Sequence, residues 1–332
     1  MINVGVVGYG YWGPNLVRNL AECEGARVAA ISDRRAERRT LAARQHPAAR
    51  VVEDGAALLA DPALDAVVVA TPITSHFELV RAALRAGKHV LVEKPLAHSV
   101  EHAKALVDEA LRANVVLMVD HTFIYTGAVR AVKRLIEAGD LGRIYYFDSV
   151  RVNLGLVQAD TNVLWDLAPH DFAIMDYWLD TRPAAVSAFG SSHVNGLEDI
   201  AYVTLLFQDN TIAHFHVNWL APAKIRRIIV GGSRKMAVYD DMETSEKIKI
   251  YDKGVTVGAP DPYQMRVQYR VGDMFSPHVD SAEALRVECE HFIECVNTGT
   301  RPVTDGEAGL RVVELLEAAG RSLRMGGVPQ PL

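Results

Sequence analysis

The stretch VGVVGYGYWG, residues 4–13, decides how the chain is read. Val4, Val6 and Val7 form a short apolar run of the kind that makes a buried strand. Gly8, Gly10 and Gly13 follow at the spacing G-x-G-x-x-G, with Tyr11 and Trp12 filling the last interval. Pro14 then opens a helical pattern with Leu16, Val17 and Leu20 on one face. Proline suits the first helical turn, where its missing N–H costs nothing. Together these residues predict a strand, a tight turn and a helix N-terminus aimed at an anion. Gly8 makes the turn, Gly10 lets backbone approach a pyrophosphate, and Gly13 lets helix and strand pack closely. A second apolar run, residues 28–32, ends in Asp33, twenty residues past Gly13. A carboxylate there would bind a ribose 2′-hydroxyl. The motif alone is a weak signal, but in this setting it predicts a dinucleotide site. The competing reading is a glycine turn in a nucleotide-free α/β protein.

The pattern continues outward to residue 121. A charged helix follows Asp33, then short strands at residues 50–53, 65–71, 88–93 and 115–119. The run DAVVVAT at residues 65–71 is apolar throughout, as expected of a strand covered on both faces. Ser75 is placed to cap the helix after it and Gly87 to stop that helix, while Ser99 caps the next. Such alternation implies a parallel, doubly wound sheet, whose ligands bind beyond the carboxyl ends of the strands. Residues 9–13, Asp33, residues 71–76 and residues 93–95 fall at that edge. Thr71, Pro72, His76, Glu93 and Lys94 therefore join Gly8, Gly10, Tyr11, Trp12, Gly13, Asp33 and Arg34 as candidate cofactor contacts.

From residue 122 the grammar changes. One helix at residues 128–138 precedes strands joined without helices. Asp209-Asn210 and Gly231-Gly232-Ser233 each separate two apolar runs, which is a hairpin signal. A further strand at residues 247–251 and two closing helices at residues 282–297 and 307–325 complete an α+β domain with a mostly antiparallel open sheet. Residues 255–280 read as irregular. The predicted division is a dinucleotide-binding Rossmann domain, residues 1–121, and a substrate-binding and oligomerisation domain, residues 122–332.

Composition narrows the partners. With 332 residues, 49% hydrophobic and 23% charged, the chain can bury a substantial core. A net charge of −6 without a basic block argues against nucleic acid. Cys23, Cys289 and Cys295 are too few and scattered for a disulfide framework or a zinc site. The chain enters a strand at Ile2 with no signal-peptide pattern, and no apolar run approaches the ~20 residues that span a bilayer. These features predict a soluble, cytoplasmic protein without membrane partners.

Three groups carry candidate chemistry. Lys94 ends a buried strand at the ligand edge, where its ammonium could hydrogen-bond a substrate hydroxyl; otherwise it is a surface lysine at a strand end. Asp166 and His170, in WDLAPHDFAIMDYWL, share a face if this is one helical turn. Pro169 places the helix start close by, so the positive helix end would keep His170 neutral and able to accept a proton, with Asp166 orienting it. The alternative is a capping aspartate and a half-buried histidine at a domain seam. His76 either lines the cofactor cleft or begins a helix. His214 and His216 alternate with Asn218 on one strand face, without a third ligand for a metal. Lys224, Arg226, Arg227, Arg234 and Lys235 surround one hairpin and either receive a phosphate or form a solvated strand face.

Taken together the chain resembles the Gfo/Idh/MocA oxidoreductases along its whole length. The glycine loop, ATPITSH at residues 70–76, AGKHVLVEKPLA at 86–97, the Asp166/His170 element and TGTRPVTDGEAGLRVVELLEAA at 298–319 carry the likeness. The resemblance implies a Rossmann domain, a second α/β domain whose sheet forms a homodimer or homotetramer, and hydride transfer between NAD(P) and a sugar or cyclitol carbon. It implies Lys94 as the catalytic lysine, His170 as acid/base and Asp166 as its partner. One departure is NVLWDLAP at residues 162–169, which replaces the usual glycine-rich lead-in. The form of residues 151–171 is similar to a subgroup that includes UDP-N-acetylglucosamine 3-dehydrogenases. Asp33 argues for NAD, and Arg34 and Arg35 leave NADP open. The alternatives are a free sugar or inositol dehydrogenase, or a non-catalytic NAD(P)-binding sensor or regulator.

Overall fold

The structure is a computed structural model that describes all residues except Leu156 and residues 258–266. The chain divides into two compact units, Met1–Tyr125 with Ala282–Glu314, and Thr126–Ser281 with Leu315–Leu332. The linear division at residue 121 therefore differs from the fold: residues 282–314, expected in the second domain, pack with the first. Their apolar stripes, including Leu285, Cys289, Phe292 and Ile293, are buried there.

In the first unit, β1 (Ile2–Val7) leads through α1 (Gly13–Glu22) to β2 (Ala26–Ser32), and α2 (Ala36–Gln45) to β3 (Arg50–Val52). Then come α3 (Gly55–Leu59), β4 (Ala66–Val69), α4 (His76–Arg85), β5 (His89–Glu93), α5 (Val100–Ala113) and β6 (Leu117–Asp120). The strands are all parallel in the order β3-β2-β1-β4-β5-β6. Strand order reverses at β1/β4, the switch point where such sheets hold ligands. The central strands are sealed on both faces: Val4, Val6, Val67, Val68, Val90 and Leu91 have no exposed surface. That explains their unbroken apolar runs.

In the second unit, α6 (Gly127–Glu137), β7 (Ile144–Leu154) and α7 (Val163–Leu179) precede β8 (Ala185–Ser191), β9 (Ile200–Leu206) and β10 (Ile212–Asn218). The strands β11 (Leu220–Gly232), β12 (Met236–Asp240), β13 (Ile248–Val257) and β14 (Val267–Phe275) follow. The closing helices are α8 (Ala284–Thr298) in the first unit and α9 (Gly306–Arg324), which continues into the second; β15 (Gln330–Pro331) ends the chain. The nine-stranded sheet runs β14-β13-β12-β11-β7-β10-β9-β8-β15 and is antiparallel except where β7 meets β10. Helix α7 covers one face: Phe172 meets Phe215 edge-on at 4.7 Å, and Phe147 lies 5.9 Å from Trp178. Both expected hairpins form, with Asn210 in the left-handed region its turn requires (φ 67°).

Three local expectations are corrected. The helix carrying His170 does not start near Pro169: it starts at Val163, capped by Asn162, whose side chain accepts from Trp165 N. Buried Val163 and Leu164 anchor the early turn, so proline is carried inside the helix. Ser75 precedes α4 without capping it, because its hydroxyl is turned back to Thr71 Oγ1 and Pro72 O, each 2.8 Å away, and its one proton goes to one of them. Residues 255–280 are not irregular throughout, since β14 pairs with β13. Strand β14 is exposed at every residue but Arg270, so burial imposes no alternation on its sequence. The part of that stretch at 258–266 lies outside the described residues.

Candidate active site

The glycine loop has the geometry that its spacing predicts. Gly8 sits at φ +101°, and a Cβ on it would lie 2.3 Å from Ala70 O. A Cβ on Gly13 would lie 2.3 Å from Gly8 O, so α1 packs against the turn only without a side chain there. Gly10 meets nothing nearer than Arg35 Nη2 at 3.4 Å, leaving its backbone open to a diphosphate. Gly8 N donates to Ser32 O at 2.8 Å, fixing the turn beside the end of β2. Asp33, nearly buried, accepts from Tyr9 N at 2.8 Å and Arg35 N at 2.9 Å, and Arg35 grips it through Nε and Nη2, both at 3.1 Å. Burial pushes its pKa up, but these hydrogen bonds outweigh that and hold it below the ordinary value. An open glycine backbone, a helix N-terminus and an ionised carboxylate at the next strand end fit a dinucleotide.

Around the loop the side chains divide by role. Tyr11 is exposed, while Trp12 donates from Nε1 to Asp120 Oδ2 at 3.0 Å. His76 is buried, with Nδ1 2.9 Å from Pro95 O and Nε2 2.8 Å from Thr71 O. Burial lowers its pKa, and a neutral ring donates to only one of these carbonyls. Its nitrogens thus tie the loops after β4 and β5 together rather than reaching outward. Pro72 begins the single turn between β4 and α4.

Sequence reasoning missed what lies beneath Lys94. Glu93 Oε2 accepts from Lys94 N at 3.2 Å, and Glu93 sits against Asp120 at the end of the neighbouring strand. Glu288 on α8 meets Asp120 from another side. As carboxylates, Glu93 Oε1 and both oxygens of Glu288 find no donor. As carboxylic acids, each can donate to Asp120, which already accepts from Trp12 and Thr122. Burial, then the Asp120 charge, pushes both glutamates well above the ordinary carboxyl range. Beside them His121 is buried with neither ring nitrogen hydrogen-bonded, and burial lowers its pKa to about 4. Asp120 ends its strand opposite Glu93, and that matched position was the available sequence signal.

In the second unit, Asp166 and His170 lie one turn apart on α7. Asp166 belongs to the first turn, where the helix dipole favours its charge, and Trp219 Nε1 donates to its Oδ2 at 3.1 Å. His170 lies about two turns in, so the argument that the helix end keeps it neutral does not hold. Its Nδ1 is shielded from solvent. His214 and His216 do share a face, and His216 stacks on Tyr202 at 4.5 Å. The basic hairpin is not one patch. Arg226 and Arg227, adjacent on β11, point to opposite faces, Arg226 pairs with Asp241, and Arg234 reaches Gly139 O. Among the described residues, no group of three His, Cys, Asp or Glu is arranged for a metal, and no helix is long and apolar enough to cross a membrane.

Residues 2–121 match the family model described as an oxidoreductase family with an NAD-binding Rossmann fold. Residues 133–330 match the C-terminal alpha/beta domain of the same family. The chain belongs to the Gfo/Idh/MocA oxidoreductase family. NAD is accordingly the cofactor of its Rossmann domain. This Gfo/Idh/MocA chain is 26% identical to scyllo-inositol 2-dehydrogenase (NAD+) of Bacillus subtilis, over 98% of the chain and 94% of that enzyme. It is 27% identical to UDP-N-acetylglucosamine 3-dehydrogenase of Acidithiobacillus ferrooxidans, over 94% of each. A solved structure of the latter superposes with a TM-score of 0.80 over 98% of both chains, at 26% identity. Levoglucosan dehydrogenase, solved with NADH and levoglucosan, shares the fold at a TM-score of 0.84 and 20% identity, covering 99% of both chains.

Proposed function

We propose that this oxidoreductase moves a hydride between NAD and a secondary alcohol of a sugar, with a UDP-N-acetylhexosamine as first-choice substrate. The observation that carries the reading is a dinucleotide-shaped glycine loop in a chain that also sets Lys94 at the ligand edge of β5 and the Asp166/His170 pair on α7. Bound NAD supplies the hydride acceptor. His170 takes the hydroxyl proton, Asp166 orients the imidazole, and Lys94 donates to the alcohol oxygen as charge develops there. The nucleotide-sugar choice is supported by the relative that recurs among the enzymes and the solved structures. A free sugar or inositol is the second reading, favoured by the split basic hairpin, which offers no single patch for a diphosphate. The open face of the nine-stranded sheet is proposed as the contact between copies of this chain.

The test follows NADH absorbance with UDP-N-acetylglucosamine, scyllo- and myo-inositol and free hexoses. Turnover of the UDP-sugar above all others is expected, and turnover confined to inositols or free sugars installs the second reading. Tight NAD binding without turnover of any of them makes the chain a sensor. Lys94→Ala and His170→Ala should each lower kcat by about a hundredfold or more while NAD still binds; undiminished turnover removes that residue from the chemistry.

A further inference from the structure

Asp171 follows His170 directly, about 100° further round the helix, and its side chain is buried in the core. It is 2% exposed and faces Arg151 of β7, which is 3% exposed. Arg151 Nε lies 3.1 and 3.0 Å from the two carboxylate oxygens, and Nη2 lies 2.7 Å from Oδ1. Ser149 Oγ donates to Oδ2 at 2.8 Å. Ser149 and Arg151 stand two apart on β7 and so share the face that meets α7. Helix α7 is thus held to the sheet by two polar contacts about one and a half turns apart, Trp219 to Asp166 and Arg151 to Asp171, and His170 lies between them in sequence.

A buried ion pair is a poor device for stability alone, because apolar side chains of similar volume often do as well. Its merit is direction: the planar guanidinium fits a carboxylate in one orientation. We propose that Arg151 and Asp171 are a positioning pair for His170, fixing the rotation of α7 and cancelling the charge that Asp171 would otherwise place beside the imidazole. This rests on His170 being the proton acceptor.

Other charges stand near the pair. Asp166 shares the helix, and Tyr239 and Asp241 approach Arg151 from beyond β11. Asp241 is itself paired with Arg226 and Lys247. From α6, Arg130, Lys133, Arg134 and Glu137 surround Tyr177, two turns further along α7. The face of β9 and β10 against the helix is apolar: Ala201, Val203, Leu205, Ala213, Phe215 and Val217 are buried. Asp171 and Arg151 are thus a buried pair of opposed charges set at the residue next to His170 in the packed layer.

The decisive experiment is the pH profile of kcat/KM for alcohol oxidation, with the best substrate from the panel above. The acid limb marks protonation of His170. Asp171→Asn leaves a guanidinium that stays charged, disfavours imidazolium and should move that limb down by about one pH unit. Arg151→Met/Asp171→Leu removes both charges and should return the limb to the wild-type midpoint. Arg151→Lys keeps the charge but loses the fork, so the limb should stay while kcat falls at least about tenfold and NAD affinity holds. An acid limb unmoved or raised in Asp171→Asn overturns the proposal. Should that variant not fold, an undiminished kcat in Arg151→Lys overturns it instead. His170→Ala separates the two readings: if it retains turnover, the role of His170 fails. If it abolishes turnover while the limb and kcat ignore the pair, only the present proposal fails.

Discussion

Asp33 already holds four hydrogen bonds, two of them from the Arg35 guanidinium, which is half exposed and stands over Gly10. A ribose diol that donates to this carboxylate has to displace that guanidinium, while the backbone donors Tyr9 N and Arg35 N remain. Arg35 is also the cation placed to meet a 2′-phosphate. Arg35→Ala is therefore expected to tighten NAD and weaken NADP, and Asp33→Asn to weaken NAD about tenfold or more, since a charge-assisted hydrogen bond contributes roughly 1.5–3 kcal/mol. Calorimetric titration with both cofactors checks this; an Arg35→Ala protein with unchanged preference would show that the arginine does not compete for the ribose pocket.

Elements decide which of these features a sequence reveals. The strand ends carrying Asp33 and Lys94 were legible because a strand covered on both faces is an unbroken apolar run that stops at the ligand edge. Helix α7 was legible as a helix carrying Asp166 and His170 but misplaced in its start: proline marks a helix start only when nothing upstream buries and caps the turn, and here Asn162, Val163 and Leu164 do. Of the carboxyl cluster only Glu93 and Asp120, matched ends of neighbouring strands, left a sequence signal; Glu288 comes from α8 and joins them only through tertiary packing. The cluster's consequence is a stability that depends on pH from both sides. His121, lowered to about 4 from 6.5, binds its proton more readily when unfolded, so stability rises with pH across that window, by about 3 kcal/mol in all. Glu93 and Glu288 are raised, so the fold holds protons that the unfolded chain releases above about 4.5, and their contribution is lost as pH rises. In urea denaturation, His121→Gln should flatten the acid-side loss and Glu288→Gln the alkaline-side loss. A Glu288→Gln slope equal to wild type between pH 5 and 8 would mean the glutamate is ionised in the fold.

At the scale of the molecule, the two sheets solve the edge and face problem differently. The parallel sheet is covered on both faces by helices, as βαβ connections require. The nine-stranded sheet is covered on one face by α7, and its register puts Phe189, Tyr202, Leu206 and Ile212 together on the other. These four are 58%, 43%, 43% and 43% exposed and form two cross-strand pairs, Phe189 with Tyr202 and Leu206 with Ile212, with Ser187, Thr204 and His214 on the same face between them. Exposed apolar pairs of this kind suit a partner surface. On the proposed reading that this face joins two copies of the chain, a twofold contact would bring each strand face against its own image. Light scattering after size exclusion should then report a dimer or tetramer. Tyr202→Glu/Ile212→Glu should shift it towards monomer without loss of NAD binding, because the Rossmann unit carries the glycine loop by itself. A wild-type protein that runs as a monomer at tens of micromolar, or a double variant whose mass does not change, would remove this face from the assembly and leave its aromatic residues to another ligand.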